Sequence, residues 1–487
     1  MKMKKIVYWS LIAVSIAASL SCTKNFIEKN TNPNALQDAS PEALLAPALH
    51  QVVTRNQNRG MRIGNELMQV HVTVVESREF HRYFIRPSEP DWMWRHWYLQ
   101  LNNIRDIYTS ANTSQENGYQ TFLGISLILD AWVSSMITDM FGDAPYFEAS
   151  KGHEGNVQPH FDRQQDIYAD IFRKLEEANE LLGADVELPE HIKGLDPLYN
   201  GAPDAWRRFG NSLYLRLLLR VSGKAASGAI AKIAEIVDTN SGNYPIFTDN
   251  SHSAILPTGA TQPITSEFFQ WRDLDFNGDK GYSEFFINNL NEWQDPRLPR
   301  WATQVSGIYA GMPSGYAPGR GVERMSTLLV SLKQDPLLGN IMNCAELQFI
   351  LAEAALKGYI TGDPHSYYEA GVVSAITHWG LEVPEGHLEK NALKWDDNLN
   401  FNEKMERIHL QKYYTLFFTD FQQWHEHRRT GHPVLPKGEG LMNDGRMPSR
   451  LMYPINVQTL NRANYLEAVQ AMGGDDLNVK VWWNTPD

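Results

Sequence analysis

Beyond about position 40, apolar residues recur at three- and four-residue spacing along most of the chain. Ile167, Ile171, Leu175, Ala178 and Leu182 fall on one side of such a run, Tyr168 and Phe172 lie on its flank, and Asp162 is placed to cap it. This spacing predicts an amphipathic helix. The same pattern carries Trp206, Leu213, Leu217 and Val221 after Asp204, and Leu347, Ile350, Leu351, Ala354 and Ala355 further on. Segments 94–108, 122–141, 367–379, 403–424 and 457–472 read alike. The first helix has a clear start, with Ser40 as N-cap, Pro41 at the first helical position and Glu42 in the first turn. No succession of alternating strands is found. The pattern predicts a mainly α fold of stacked helix pairs with long irregular insertions. The insertions are rich in glycine and proline, at 187–203, 241–263 and 307–321, and loops of that length are usually functional or disordered. No linker divides residues 40–487, so a single domain is expected there.

The start of the chain changes the picture from fold to address. Met1 to Lys5 carry three lysines, and Ile6 to Leu20 carry no charge at all. That is the h-region of a signal peptide and too short for a permanent membrane span. It ends in Ser19-Leu20-Ser21-Cys22, small residues before a cysteine, as lipoprotein cleavage sites are built, although Ser19 stands where a leucine is usual. Residues 1–21 are therefore expected to be removed and Cys22 lipidated, anchoring the protein to a membrane. The alternative is an ordinary signal peptide with Cys22 incidental. Residues 22–39 are polar and turn-rich and read as a tether, whose seventeen residues after Cys22 reach at most about 55–60 Å. The other cysteine, Cys344, lies in a strongly helical stretch and is expected to be buried. Loss of the three leader lysines takes the formal charge from −13 to −16. So acidic a body is a poor partner for nucleic acid or anionic headgroups, and no nucleic-acid binding is expected. No later run approaches the roughly eighteen apolar residues of a membrane span.

Fourteen tryptophans, twenty tyrosines and twenty phenylalanines suggest the ligand type, because sugar rings stack on aromatic faces while polar neighbours bond their hydroxyls. Most of these rings belong to the core: Trp94, Tyr98, Trp132, Trp206 and Trp379 sit at helical spacing. The loop-borne rings are better candidates. Trp92 follows the turn-rich Pro87–Asp91, with Arg82 and Arg86 upstream, while Tyr309 and Tyr316 lie in the glycine-rich 307–316. Arg82, Trp92, Tyr309 and Tyr316 are the expected ligand contacts.

A sharper motif runs from Asp273 to Glu284 and matches D-x-[DN]-x-[DN]-G-x5-E, the EF-hand calcium loop. Asp273, Asp275 and Asn277 would offer oxygens, Gly278 the turn, Asp279 a carbonyl and Glu284 a bidentate carboxylate. Structural calcium, ordering a loop, is the expectation, although Lys280 stands where an aliphatic residue is usual and no partner loop exists. The competing reading is an acidic solvated turn. His425-Glu426-His427 lacks the H-E-x-x-H spacing of a zinc helix and is expected to be structural. Glu346 and Glu353 are expected to meet arginines such as Arg428 and Arg429. No G-x-S-x-G, P-loop or dinucleotide fingerprint is present.

Several segments together resemble the SusD/RagB family of outer-membrane nutrient-binding lipoproteins, particularly its SusD-like second subgroup. They are Cys22 to Phe26, Asn32 to Ala35, Asp139 to Tyr146, Asp295 to Leu298, Glu346 to Ala354, Arg428 to Pro433, Arg446 to Pro454 and Trp482 to Asn484. The resemblance implies an α-helical body of tetratricopeptide-like helix pairs. It implies a binding protein, not an enzyme, seated on a SusC-type TonB-dependent transporter to which it passes an oligosaccharide, polysaccharide or other nutrient. It also implies the cell exterior as the face, and ligand platforms built from the loop regions named above. Two rivals stay open: a lipid-anchored glycoside hydrolase, and a helical-repeat scaffold that binds only proteins.

Overall fold

Among the described residues Pro41–Arg59 forms the first helix (α1), with Ser40 at its N-cap as its neighbours predict. The computed structural model describes residues 39–74, 79–116 and 118–487, so the expected signal peptide, Cys22 and the tether lie outside the described residues. Residues Ser40–Asp487 form one compact unit.

Helices dominate it: α2 (Glu89–Thr113), α3 (Gln120–Phe141), α4 (Gln164–Gly183), α5 (Pro203–Val221), α6 (Glu284–Trp293), α7 (Cys344–Leu356), α8 (Pro364–Thr377), α9 (Phe401–Thr415), α10 (Gln422–Thr430) and α11 (Arg462–Met472). Helices α1 to α5 pack on one another in sequence, α5 then meets α7, and α7 packs against both α8 and α9. These are stacked, tetratricopeptide-like helix pairs, the mainly α architecture that the periodicity predicts.

The predicted face of α4 is the buried one: Ile167, Ile171, Leu175, Ala178 and Leu182 all point inward. Its start differs from expectation. Asp162 instead accepts the backbone N–H groups of Tyr146 and Phe147, while Asp143 takes the N–H of Gln164, so the orphan donor is satisfied from a distant turn. The run 403–424 is broken into α9 and α10, with Phe418 and Asp420 at positive φ between them.

Helix α3 corrects another expectation, since it is long and apolar enough by composition to cross a bilayer. It lies within the core, buried almost end to end, and its apolar character serves neighbours on several sides. Cys344 is buried, as expected.

Buried ion pairs tie the layers together. Arg216 of α5 meets Glu346 of α7 at 2.6 Å, and Arg220 meets Asp139 of α3 at 2.6 Å. Asp139 also accepts from the Tyr168 hydroxyl and the Trp483 indole. The extended elements are short: β1 (His71–Thr73), β2 (Ala254–Ile255), β3 (Lys280–Tyr282) and β4 (Asn340–Met342). β1 pairs antiparallel with β3, His71 opposite Tyr282 and Thr73 opposite Lys280, and β2 pairs with β4.

Candidate functional site

At its C-terminal end α1 passes into a single π-helical turn, Gly60–Gly64, and then a short helix, Asn65–Leu67. The turn opens on a close approach to a distant part of the chain. A Cβ on Gly60 would stand 2.7 Å from the carbonyl oxygen of Asp420, so only glycine allows this approach. Single π turns often mark functional sites. Here the turn sets Arg59, Met61, Arg62 and Glu66 along one wall of a cleft of about 520 Å³. The β1–β3 pairing brings Lys280 to the other wall, next to Asp279, Asp275 and the half-buried Trp271.

The cleft's charges are arranged unevenly. Arg59, Arg62 and Arg86 all turn to one carboxylate, Glu89, at 3.4, 3.3 and 3.0 Å. Asp275 is held by Arg272 through two hydrogen bonds, and Asp279 pairs with Lys280 at 2.7 Å. Glu66 is nearly inaccessible, and one of its oxygens accepts the backbone N–H of His81. Burial pushes its carboxyl up to about 8, with Lys280 opposing and Glu79 adding to the shift. At neutral pH Glu66 is thus mostly protonated and can donate a hydrogen bond.

An acid that binds its proton more tightly folded than unfolded contributes stability that is complete below the unfolded-state pKa. That contribution is lost as pH rises through the folded-state value. Glu66→Gln, which cannot ionise, is therefore expected to gain stability relative to the parent between ~pH 6 and ~pH 9. Urea midpoints at the two pH values would show it, and an unchanged difference would sink the assignment.

The expected ligand residues divide. Trp92 is half-buried beside this region: the Arg59 guanidinium lies 4.5 Å from its ring centre and the His96 ring 4.1 Å away. Arg82 and Tyr316 are brought together, but in the interior, each 1 % exposed, which corrects their placement on an open loop. Arg82 donates to the Tyr316 carbonyl at 2.8 Å and stacks on its ring, and the Tyr316 hydroxyl donates to the carbonyl of Thr73 on β1. They brace the cleft wall from behind. Tyr309 is half-buried just after the 305–308 turn, its carbonyl accepting from Asn291, and does not line the cleft.

The calcium-loop motif takes a different local form from the one its spacing suggests. Asp273–Asn277 is a helical turn, which sends alternate side chains to different sides, and the carboxylates of Asp273 and Asp275 are each paired with a cation. Asp273 pairs with Lys333 at 2.9 Å, Asp275 with Arg272, Asp279 with Lys280, and Asn277 donates its amide to the Leu328 carbonyl. Glu284 opens α6, and its backbone N–H donates to the Met312 carbonyl. The spacing fits a cage, but this conformation does not form one. A second cluster, Glu353, His409 and Glu426, has ligand atoms within 4.8 Å of one another. Arg429 bridges both carboxylates there at 2.5–2.8 Å, supplying the charge a metal would bring. His425 and Glu426 are buried, and Glu346 and Glu353 do meet arginines, Arg216 and Arg429.

Sequence reasoning missed Trp271, Arg59, Arg62, Glu66 and Lys280. A tryptophan outside any helical run, between a long insertion and an acidic segment, was the available signal for Trp271.

Comparison with known proteins agrees with the architecture. A SusD-like family described as starch-binding and associating with the outer membrane matches residues 33–454. A SusD homologue from Bacteroides fragilis superposes with a TM-score of 0.79 at 24% identity, over 92% of this chain and 100% of its own. A chitin-binding protein matches at 0.76 and 25% identity, over 91% of this chain and 100% of its own. A chitin-binding SusD homologue from Flavobacterium johnsoniae matches at 0.79 and 21% identity, over 92% and 99%. No curated protein matches the sequence.

Proposed function

The chain belongs to the SusD-like family, and from that premise we propose that it is an outer-membrane lipoprotein that binds a glycan and hands it to a SusC-type TonB-dependent transporter. The observation that carries the reading is the cleft. An indole face, Trp271, stands among fixed hydrogen-bonding groups from Asn58, Arg59, Arg62, Glu66 and Lys280. Pyranose rings offer C–H faces for such an indole and hydroxyls for such donors and acceptors. Outer-membrane association follows the family; the leader pattern ending at Cys22 supports a lipid anchor, and the exterior face is what the family resemblance implies.

A second reading is favoured by one observation. Glu66, holding its proton near neutrality in a cleft with other carboxylates, has the property a glycosidase acid needs. Against it, Asp275 and Asp279 are each neutralised by a cation, leaving them poor as nucleophile or base.

Affinity electrophoresis through soluble starch and glycol chitin, with reducing ends assayed in the same samples, separates the two. Retardation without new reducing ends is expected, with Trp271→Ala weakening it about tenfold. Release of product would establish the hydrolase instead.

A further inference from the structure

We propose that the chain carries a second carbohydrate site, for an uncharged glycan, in a groove on the far side of α2 from the cleft. The proposal goes beyond the cleft reading and does not depend on it. Trp92 and Trp94 are two residues apart on a helix, so their side chains point about 200° apart around its axis. Trp92 lies under Arg59, which lines the cleft. Trp94 packs edge-on against Phe141 and Tyr453 and, with Tyr98, floors a separate groove of about 280 Å³. Its walls are the 145–159 loop and the short helix Ile455–Leu460.

The chemistry of this groove is unlike that of the cleft. Every residue lining it is uncharged, in a chain in which 21% of residues are charged. A charged ligand would find no counter-ion there, whereas a polyol would lose nothing. The polar groups present are those a sugar uses. The Asn102 side-chain oxygen accepts from the Ser150 hydroxyl, and the Asn456 oxygen accepts the Val457 N–H. Both amide nitrogens are thereby left without a partner among the described residues. Two carboxamide donors beside a half-buried indole face form a stacking platform with hydroxyl recognition at its edge.

The groove is also pre-formed. Gln158 donates to the Leu460 carbonyl at 2.8 Å, Asn461 to the Pro159 carbonyl at 2.7 Å and Asn464 to the Gln158 carbonyl at 2.8 Å, clamping the two walls together. On the rim, Val157 and Leu460 stay 77% and 71% exposed, apolar surface that a sugar's C–H groups would cover. Among the described residues no strand edge borders the groove to pair with a peptide backbone, which favours a sugar over an extended peptide.

The test uses a chain whose cleft is disabled by Arg62→Ala and Trp271→Ala, titrated calorimetrically with maltohexaose, cellohexaose and chitohexaose. At least one is expected to bind still, and Trp94→Ala in that background is expected to weaken it about tenfold. Because Trp94 also packs on Phe141, Leu460→Asp and Asn456→Asp serve as surface variants that introduce charge without touching the core, and the same loss is expected. No binding by the cleft-disabled chain, when the parent binds, overturns the second site and leaves the cleft reading intact. Residual binding indifferent to all three groove variants overturns it as well. Loss in the groove variants alone, with the cleft-disabled chain otherwise competent, supports the second site even if the cleft fails its own test.

Discussion

Arg429→Met is expected to destabilise the folded chain by about 3–5 kcal/mol, the range for removing one partner from a buried ion pair. Arg429 of α10 donates to both oxygens of Glu353 on α7 at 2.6 and 2.5 Å and to Glu426 at 2.8 Å. Glu353 is completely buried and Glu426 nearly so. Burial alone would raise both carboxyls, but Arg429 leads the groups that hold them well below the ordinary carboxylate range. Without it, Glu353 keeps Lys357 and His409, and Glu426 keeps Lys412 and Arg220, so the loss is severe but the charges are not wholly orphaned.

The sign with pH follows. Carboxyls depressed in the folded state add stability above their unfolded-state pKa, and this is lost as pH falls through the folded-state values. The variant should therefore lose most at neutral pH and differ less from the parent in acid. Urea unfolding followed by tryptophan fluorescence measures both effects. Glu353→Gln combined with Arg429→Met should recover part of the loss, a positive coupling in a double-mutant cycle. A loss below about 1 kcal/mol would mean that the cluster is far better solvated than its burial implies.

Trp301→Ala should cost about as much, roughly 3–5 kcal/mol for emptying a large buried aromatic site. Its ring is fully buried and lies 4.7 Å from Phe417, 5.3 Å from Trp379 and 5.9 Å from Phe286, centre to centre. The indole N–H has no hydrogen-bond partner among the described residues, so Trp301→Phe removes volume without stranding a polar group. The phenylalanine variant should consequently keep most of the stability. The effect should also reach the cleft, because the Trp301 carbonyl accepts the hydroxyl of Tyr282, two residues from Lys280 on β3. Comparing glycan retardation of the two variants under conditions where both remain folded would reveal it. Equal binding by both would uncouple the cleft from this aromatic cluster.

The helices were legible because burial imposes a period, and Ile167 to Leu182 show it plainly. What defeated the sequence was long-range pairing. Asp162 looked like a cap, yet the cap came from Asp143 across a turn. Asp273 to Glu284 carried the oxygens of a calcium loop in order, but Lys333, remote in sequence, claims one of them. Tyr316 sits among glycines, which suggested an open loop, and its burial depends on Arg82 and Thr73. The cleft has no local signature either. Three-residue strands are too short to display alternation, and only their pairing sets Lys280 opposite Arg62 and Glu66.

The tight seat of Gly60 against Asp420 has a consequence for the order in which the molecule comes into being. The same N-terminal wall is held further by the Tyr413 hydroxyl on the Met68 carbonyl and by the Gln69 amide on the Pro436 carbonyl. A chain that emerges from its N-terminus completes α1 early but lacks these contacts to the turn after it until residues 413–436 arrive. A complete cleft wall is therefore expected only of a chain that has gained the segment from Tyr413 to Pro436.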